Sequence, residues 1–177
     1  MGGAGPVLLI QLKRIGDVLL CTPLVRALAA DRPERRIFFL TEAPNREVLR
    51  GNPAIDEIVT LPDPMTTADW RRVRARLRAL RPEWTIDCSG TPRSCLLARM
   101  SGAPVRVGFR VRLPRRWAYN RVVTPDRSKY TVDRRLDLVR ALGVADRGFR
   151  PELFLDERDR AEADRLLRAA GFAPDAR

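Results

Sequence analysis

Near its start the chain passes from Val7-Leu8-Leu9-Ile10-Gln11-Leu12, bounded by Gly5-Pro6 and Lys13-Arg14, into a segment from Gly16 to Ala30. In that segment Val18, Leu19, Thr22, Leu24, Val25 and Leu28 recur at helical spacing, and Pro33 follows its end. An aliphatic run without polar alternation reads as a strand buried on both faces, which is a central strand of a parallel sheet. Strand, short loop and helix in this order commit the chain to an α/β fold.

The pattern then repeats. Strands are expected over Arg36 to Thr41, Asp56 to Leu61, Trp84 to Cys88 and Val105 to Phe109. Between them, helices are expected over Asn45 to Arg50, Ala68 to Leu80 and Ser94 to Met100. Such alternation through residue 110 gives a doubly wound, Rossmann-like parallel sheet. After Arg110 the pattern weakens into a basic loop, Leu113-Pro114-Arg115-Arg116-Trp117. A helix from Asp133 to Leu142 is stopped by Gly143, and Glu152 to Leu155 reads as a short strand or linker. Glu157 to Ala170 reads as an amphipathic helix ending at Gly171. The expected division is a Rossmann-like domain over 1–150 and, over 151–177, a linker and first helix leading toward a second domain.

Length and composition fit that division, since 177 residues, 45% hydrophobic and 32% charged, suffice for one core with an appendage. No apolar run approaches the roughly 20 residues of a membrane span, and Met1 to Pro6 lack the marks of a signal peptide, so a cytoplasmic chain is expected. The absence of histidine excludes His-based catalysis. Cys21, Cys88 and Cys95 form no Cys-x-x-Cys pair, so neither a metal site nor a disulfide is expected. The net charge of +12 is carried almost wholly by arginine, Lys13 and Lys129 being the only lysines. Two readings stay open: a base-composition bias of the genome, or an anionic partner such as a phosphorylated glycolipid at a membrane surface or a nucleic acid. No nucleic-acid reading motif or aromatic stacking platform accompanies the charge, so nucleic acid is not the expected partner. The arginines between Arg71 and Arg81 read as a solvated helix face.

In an open parallel sheet, ligands bind beyond the carboxyl ends of the strands near the point where strand order reverses. Here that is the loop Lys13-Arg14-Ile15-Gly16-Asp17. It has a single glycine, so it is neither a dinucleotide fingerprint nor a P-loop. It offers instead a carboxylate, Asp17, at the first turn of a helix beside two cations and unpaired backbone N–H groups. One reading makes Asp17 a general base for a sugar hydroxyl, with Gly16 leaving room for the acceptor. The other makes it a complement to the helix dipole, contributing about 0.3 to 1 kcal/mol.

The segment from Val7 through Lys13-Arg14-Ile15-Gly16-Asp17-Val18 to Thr22-Pro23 resembles the opening of the heptosyltransferases, glycosyltransferase family 9. Further matches follow in order: Asn52-Pro53-Ala54-Ile55-Asp56-Glu57-Ile58, Asp87-Cys88-Ser89-Gly90 with Arg93-Ser94, Ser101-Gly102-Ala103 with Arg106-Val107-Gly108-Phe109-Arg110, and Tyr119-Asn120-Arg121. Leu136 to Gly143 and Pro151 to Leu155, with the helix after them, resemble the approach to that family's second domain.

The resemblance implies the amino-terminal, acceptor-side half of a GT-B glycosyltransferase. Such an enzyme transfers heptose from ADP-heptose with inversion, without a catalytic metal or other cofactor, to the anionic inner core of lipopolysaccharide on lipid A. It implies Asp17 as the catalytic base and Lys13, Arg14, Gly16, Arg93, Ser94, Arg110 and Arg121 as substrate-binding positions, arginine's planar fork suiting carboxylate and phosphate. The glycolipid acceptor implies peripheral contact with the inner face of the cytoplasmic membrane. The nucleotide-sugar donor needs the second domain, so the chain alone is expected to be inactive. Where family members commonly carry histidines, this chain has Arg121, Val122 and Thr131. The alternative is a non-catalytic module that binds anionic glycolipid or partners a separate donor domain.

Overall fold

A computed structural model describes residues 5–112, 115–146, 148 and 150–172. Leu113 and Pro114 of the expected basic loop, and the residues after Phe172, lie outside the described residues. Six strands form one sheet: β1 (Val7–Ile10), β2 (Ile37–Glu42), β3 (Glu57–Leu61), β4 (Trp84–Asp87), β5 (Val105–Phe109) and β6 (Arg121–Val123). Their order is β3-β2-β1-β4-β5-β6 and every pairing is parallel. The order reverses between β1 and β4, the place where such sheets bind ligands.

Strand β1 is buried at all four positions, and its alternation divides the core. Val7 and Leu9 join one apolar cluster with Leu24, Leu28, Leu136 and Val139. Leu8 and Ile10 join another with Leu77, Leu97 and Tyr119. Successive side chains point to opposite faces, so a strand that is apolar throughout can belong only between two layers of helix.

Where a single helix is expected from Gly16 to Ala30, there are two, α1 (Ile15–Leu19) and α2 (Thr22–Asp31). Pro23 is the reason. It has no N–H to give Leu19 and its ring would crowd that carbonyl. The Thr22 hydroxyl donates to the Leu19 carbonyl instead, at 2.8 Å. The expected helix over Asn45 to Arg50 is a pair of short 3₁₀ turns, Ala43–Asn45 and Glu47–Leu49. Helices α3 (Thr67–Ala79), α4 (Pro92–Met100) and α5 (Thr131–Arg140) form close to their expected positions. Strand β6 is an addition, since no element is expected there; it is short and largely exposed at the sheet edge, without the apolar run that marks the inner strands. Gly143 adopts φ +82°, the left-handed conformation that ends a helix.

Residues 151–156 form no strand and run as a linker into α6 (Glu157–Ala169). None of the residues of α6 is buried. Polar contacts hold the segment: the Glu152 amide donates to Thr22 Oγ1 at 2.9 Å, Arg26 pairs with Glu152 at 3.1 Å, and Arg50 pairs with both Asp156 and Asp159. No described helix is long and apolar enough to cross a membrane.

Candidate active site

The carboxyl ends of β1 and β4 lie side by side, with the Cys88 amide donating to the Ile10 carbonyl at 2.9 Å. From β1 the chain runs through Gln11 to Lys13 under tight restraint. The Leu12 amide donates to Ser89 Oγ at 3.1 Å, and its carbonyl accepts from Asn45 Nδ2 at 2.7 Å. Arg14 then takes φ +66°, a conformation a non-glycine residue holds only when its surroundings dictate it. This turn delivers Gly16 and Asp17 to the first turn of α1.

On the other side, the Asp87 carboxylate shapes the loop after β4. Its Oδ1 accepts from the amides of Ser89 and Gly90 at 2.9 and 3.1 Å, and its Oδ2 from the Tyr119 hydroxyl at 2.6 Å. Complete burial pushes the Asp87 carboxyl above its ordinary value, and these hydrogen bonds oppose that shift only in part. Tyr119 is thereby fixed against Gly108, where an added Cβ would fall 2.4 Å from the ring.

Between the two loops opens a cleft of about 690 Å³ lined by Gln11, Leu12, Lys13, Arg14, Asp17, Cys88, Ser89, Thr91, Pro92, Arg93 and Arg135. The Asp17 side chain is one-third exposed; its Oδ1 accepts from Arg135 Nη2 at 2.8 Å, and among the described residues its Oδ2 has no partner. Arg135 also donates to the Asp17 backbone carbonyl and, at 3.3 Å, to the Cys21 sulfur. Burial works against the Arg135 charge, but Cys21, Cys88 and Asp17 outweigh it and hold the guanidinium further toward its charged form.

The structure thus brings four expected residues, Lys13, Arg14, Asp17 and Arg93, to one cleft. They differ in freedom. Arg14 has no side-chain partner among the described residues. Lys13 is loosely placed near Glu42 and Asp63, at 3.9 and 3.8 Å. Arg93 is engaged by Glu42 at 2.8 Å and by the Pro62 carbonyl at 2.9 Å. An added Cβ on Gly16 would meet nothing within 4 Å, so the space above that residue is open.

Gly16 borders the cleft without lining it, and three further expected residues do not line it either. Ser94 is fully buried, its hydroxyl engaged with Thr91 in the capping box that starts α4. Arg110 follows β5 and is exposed outside the cleft. Arg121 opens β6 at the sheet edge, level with Val107 of β5, where its Nη1 donates to the Ala141 carbonyl at 3.1 Å. Arg135, Gln11 and Ser89 line the cleft without having been singled out. Arg135 carried a readable signal: it interrupts the apolar face Val132, Leu136, Val139 of α5, and a cation on a buried face needs an anion opposite. Among the described residues, no cluster of three or more acidic, thiol or imidazole side chains could hold a metal ion.

Strand order, buried inner strands and a cleft at the switch point define a Rossmann-like α/β domain. The family model for glycosyltransferase family 9 (heptosyltransferase) matches residues 70–177, and the chain belongs to that family. Its fold matches that of a family 9 glycosyl transferase from Veillonella parvula with a TM-score of 0.85 at 20% identity, covering 98% of this chain and 51% of the other. It also matches the ADP-heptose lps heptosyltransferase II of E. coli with a TM-score of 0.76 at 22% identity, over 96% of this chain and 52% of the other. For an E. coli heptosyltransferase WaaC with ADP-2-deoxy-2-fluoro heptose, the TM-score is 0.69 at 19% identity, over 83% and 51%. The chain therefore spans about half the length of these solved structures. Comparison with curated proteins gives no match.

Proposed function

We propose that this chain is the acceptor-side half of an inverting sugar transferase of the heptosyltransferase type, and that Asp17 is its general base. The observation that carries this reading is the Asp17 carboxylate itself: Arg135 holds Oδ1 at 2.8 Å and leaves Oδ2 toward the cleft. A carboxylate fixed through one oxygen keeps the other oriented for an incoming O–H. An acceptor hydroxyl enters over Gly16, where no side chain intervenes. As its oxygen bonds to the anomeric carbon of the donor and the bond to the leaving nucleotide breaks, Oδ2 takes the proton. Arg14 and Lys13 meet phosphate or carboxylate groups of the acceptor, Arg14 as the freer of the two.

The sugar donor on this reading is ADP-heptose and the acceptor the lipopolysaccharide inner core, brought to the chain at the inner membrane surface. This cleft's single-glycine loop lacks a pyrophosphate cradle, so the nucleotide is held by a donor-binding half. The test is transfer from ADP-heptose to an inner-core acceptor by the chain joined to such a half. Asp17→Asn is expected to lower turnover at least about 100-fold while the chain still binds acceptor. Unchanged turnover in the variant would overturn the assignment.

A second reading, a binding module for anionic glycolipid or for a separate donor domain, is favoured by one feature: the basic cleft is complete within this chain. It predicts acceptor binding that Asp17→Ala spares, with no transfer in any combination.

A further inference from the structure

From Cys88 to Pro125 the chain carries eight arginines and no Asp or Glu. The elements of this stretch that lie outside the sheet join α3 in one layer. Helix α3, helix α4 and the 3₁₀ turn Arg115–Ala118 set Val73, Leu77, Cys95, Leu97 and Ala118 into one apolar cluster, so they cover the same face of the sheet. Arg78 and Arg81, at the end of α3, line one hollow with Ser101 and Gly102, which follow α4.

The outer surface of this layer is cationic. Arg71, Arg74, Arg78 and Arg81 of α3 and its end, Arg99 of α4, and Arg112, next to the packed Val111, are exposed. None of the six has a side-chain partner among the described residues. In α3 only Arg72 and Arg76 meet acids, Asp69 and Glu57. Elsewhere cations and acids are interleaved: Arg36 pairs with Asp56, Arg50 with Asp156 and Asp159, and Arg140 with Asp137 and Asp146. A preference of the genome for arginine sets how many arginines there are, but it does not clear acids from one side of the molecule.

Apolar groups stand among these charges, Trp117 being 51% exposed and Leu96 37% exposed. On α4 the exposed positions are Pro92, Leu96 and Arg99, a single stripe at spacings of four and three. The stripe starts at the cleft, which Pro92 lines, and reaches Leu96 and Arg99 about 6 and 10 Å further along the helix axis.

We propose that this layer is a docking surface for a bilayer bearing anionic lipid headgroups, with Trp117 and Leu96 entering the headgroup region. The arginines meet lipid phosphates, which their planar forks match, and are drawn in by the negative surface potential. An indole, apolar with one N–H, suits the boundary between water and hydrocarbon. A nucleic-acid backbone would offer Leu96 nothing. Docking along the α4 stripe brings the cleft mouth to the membrane, so the saccharide of a lipid-borne acceptor enters the cleft while its acyl chains stay in the bilayer. The choice of a bilayer as partner rests on the glycolipid acceptor proposed above.

The test is co-sedimentation of the whole chain with vesicles of phosphatidylcholine alone and of an equimolar mixture with phosphatidylglycerol. Neither lipid is a transfer substrate, so failure here leaves the Asp17 assignment standing, and unchanged turnover in Asp17→Asn leaves the surface standing. Binding is expected to the mixed vesicles only, and it should weaken with salt. Replacing Arg78, Arg99 and Arg112 together by Gln should lower partitioning about 100-fold, about fivefold for each charge. Replacing Arg32, Arg46 and Arg127 by Gln removes the same charge outside this layer and should lower it no more than about twofold. Trp117→Ser should weaken binding about tenfold at every salt concentration. No binding to mixed vesicles, equal binding to both kinds, or equal losses in the two triple variants would each overturn the proposal. Release from mixed vesicles by RNA at equal phosphate concentration would also overturn it, making the layer a nucleic-acid surface.

Discussion

Arg135 and Asp17, 118 residues apart in sequence, meet at the rear of the cleft with Nη2 and Oδ1 2.8 Å apart. Their exposures are unequal: the Arg135 side chain is 7% exposed and that of Asp17 33%. Removing either partner therefore leaves a different remainder. Asp17→Ala strands a buried cation with one carbonyl and a thiol for company, and is expected to destabilise the chain by about 3 kcal/mol, the lower end for a broken buried pair. Arg135→Met leaves a carboxylate that water reaches, and its long apolar side chain refills the α5 face, so the expected loss is about 1 kcal/mol. Urea denaturation of the two variants and their double mutant measures the difference. Equal losses would mean that the pair behaves as a surface ion pair.

Gly16 and Gly108 make a contrasting pair. A Cβ on Gly16 meets open space, and Gly16 lies inside α1, so Gly16→Ala should leave stability unchanged or raise it by up to about 1 kcal/mol. The same methyl on Gly108 falls 2.4 Å from the Tyr119 ring, which cannot swing aside without breaking its bonds to Asp87 and Cys95. Gly108→Ala is expected to cost about 1 to 3 kcal/mol. Thermal or urea unfolding reads both. Affinity for an anionic saccharide should fall in Gly16→Ala if the acceptor approaches over that residue, and stay constant if it does not.

The sheet, its inner strands and the switch-point loop are legible in the sequence because each depends on local apolar runs and on Pro and Gly at fixed places. Strand β6 is not, because an edge strand of three residues, two of them exposed, has no run to read. The break between α1 and α2 was written in Thr22-Pro23, whose missing N–H outweighs the helical spacing around it. Among site residues, position in sequence near a motif did not decide which side chains reach the cleft. Ser94 is adjacent to Arg93 in sequence but one faces the helix cap and the other the cleft, while Arg135 arrives from a distant helix. Such convergence is set by packing of α5 on α2, which no local pattern encodes.

Asp87 gives the chain a pH dependence of definite sign. Burial holds its carboxyl above the ordinary value in the folded state, so between the unfolded value of about 3.9 and the folded one the native state binds more protons than the unfolded state. Stability from this group is thus fully present with the proton on and declines as pH rises through that window. Asp87→Asn keeps an oxygen for the Ser89 and Gly90 amides and abolishes the titration. Relative to the parent, the variant should gain stability as pH rises from about 4 toward neutrality. Urea midpoints for both proteins across that range test this, and a difference that does not change with pH would show that Asp87 is not the titrating group.

Helix α6 is attached by charge rather than by apolar burial. None of its residues is buried, Leu166 and Leu167 are exposed, and Arg50 bridges to both Asp156, the cap of the helix, and Asp159 in its first turn. Exposed ion pairs weaken as salt shortens the screening length, to about 3 Å at 1 M, whereas the apolar core does not. Arg50→Ala, or high salt on the unaltered chain, is therefore expected to raise hydrogen exchange of the α6 amides toward that of free peptide while the β1, β2 and β4 amides keep their protection. The Asp156 capping box alone gives an isolated helix of this length marginal stability. Retained α6 protection in both experiments would mean that its apolar residues have found a covering surface, and cross-linking of Leu166→Cys would then locate it.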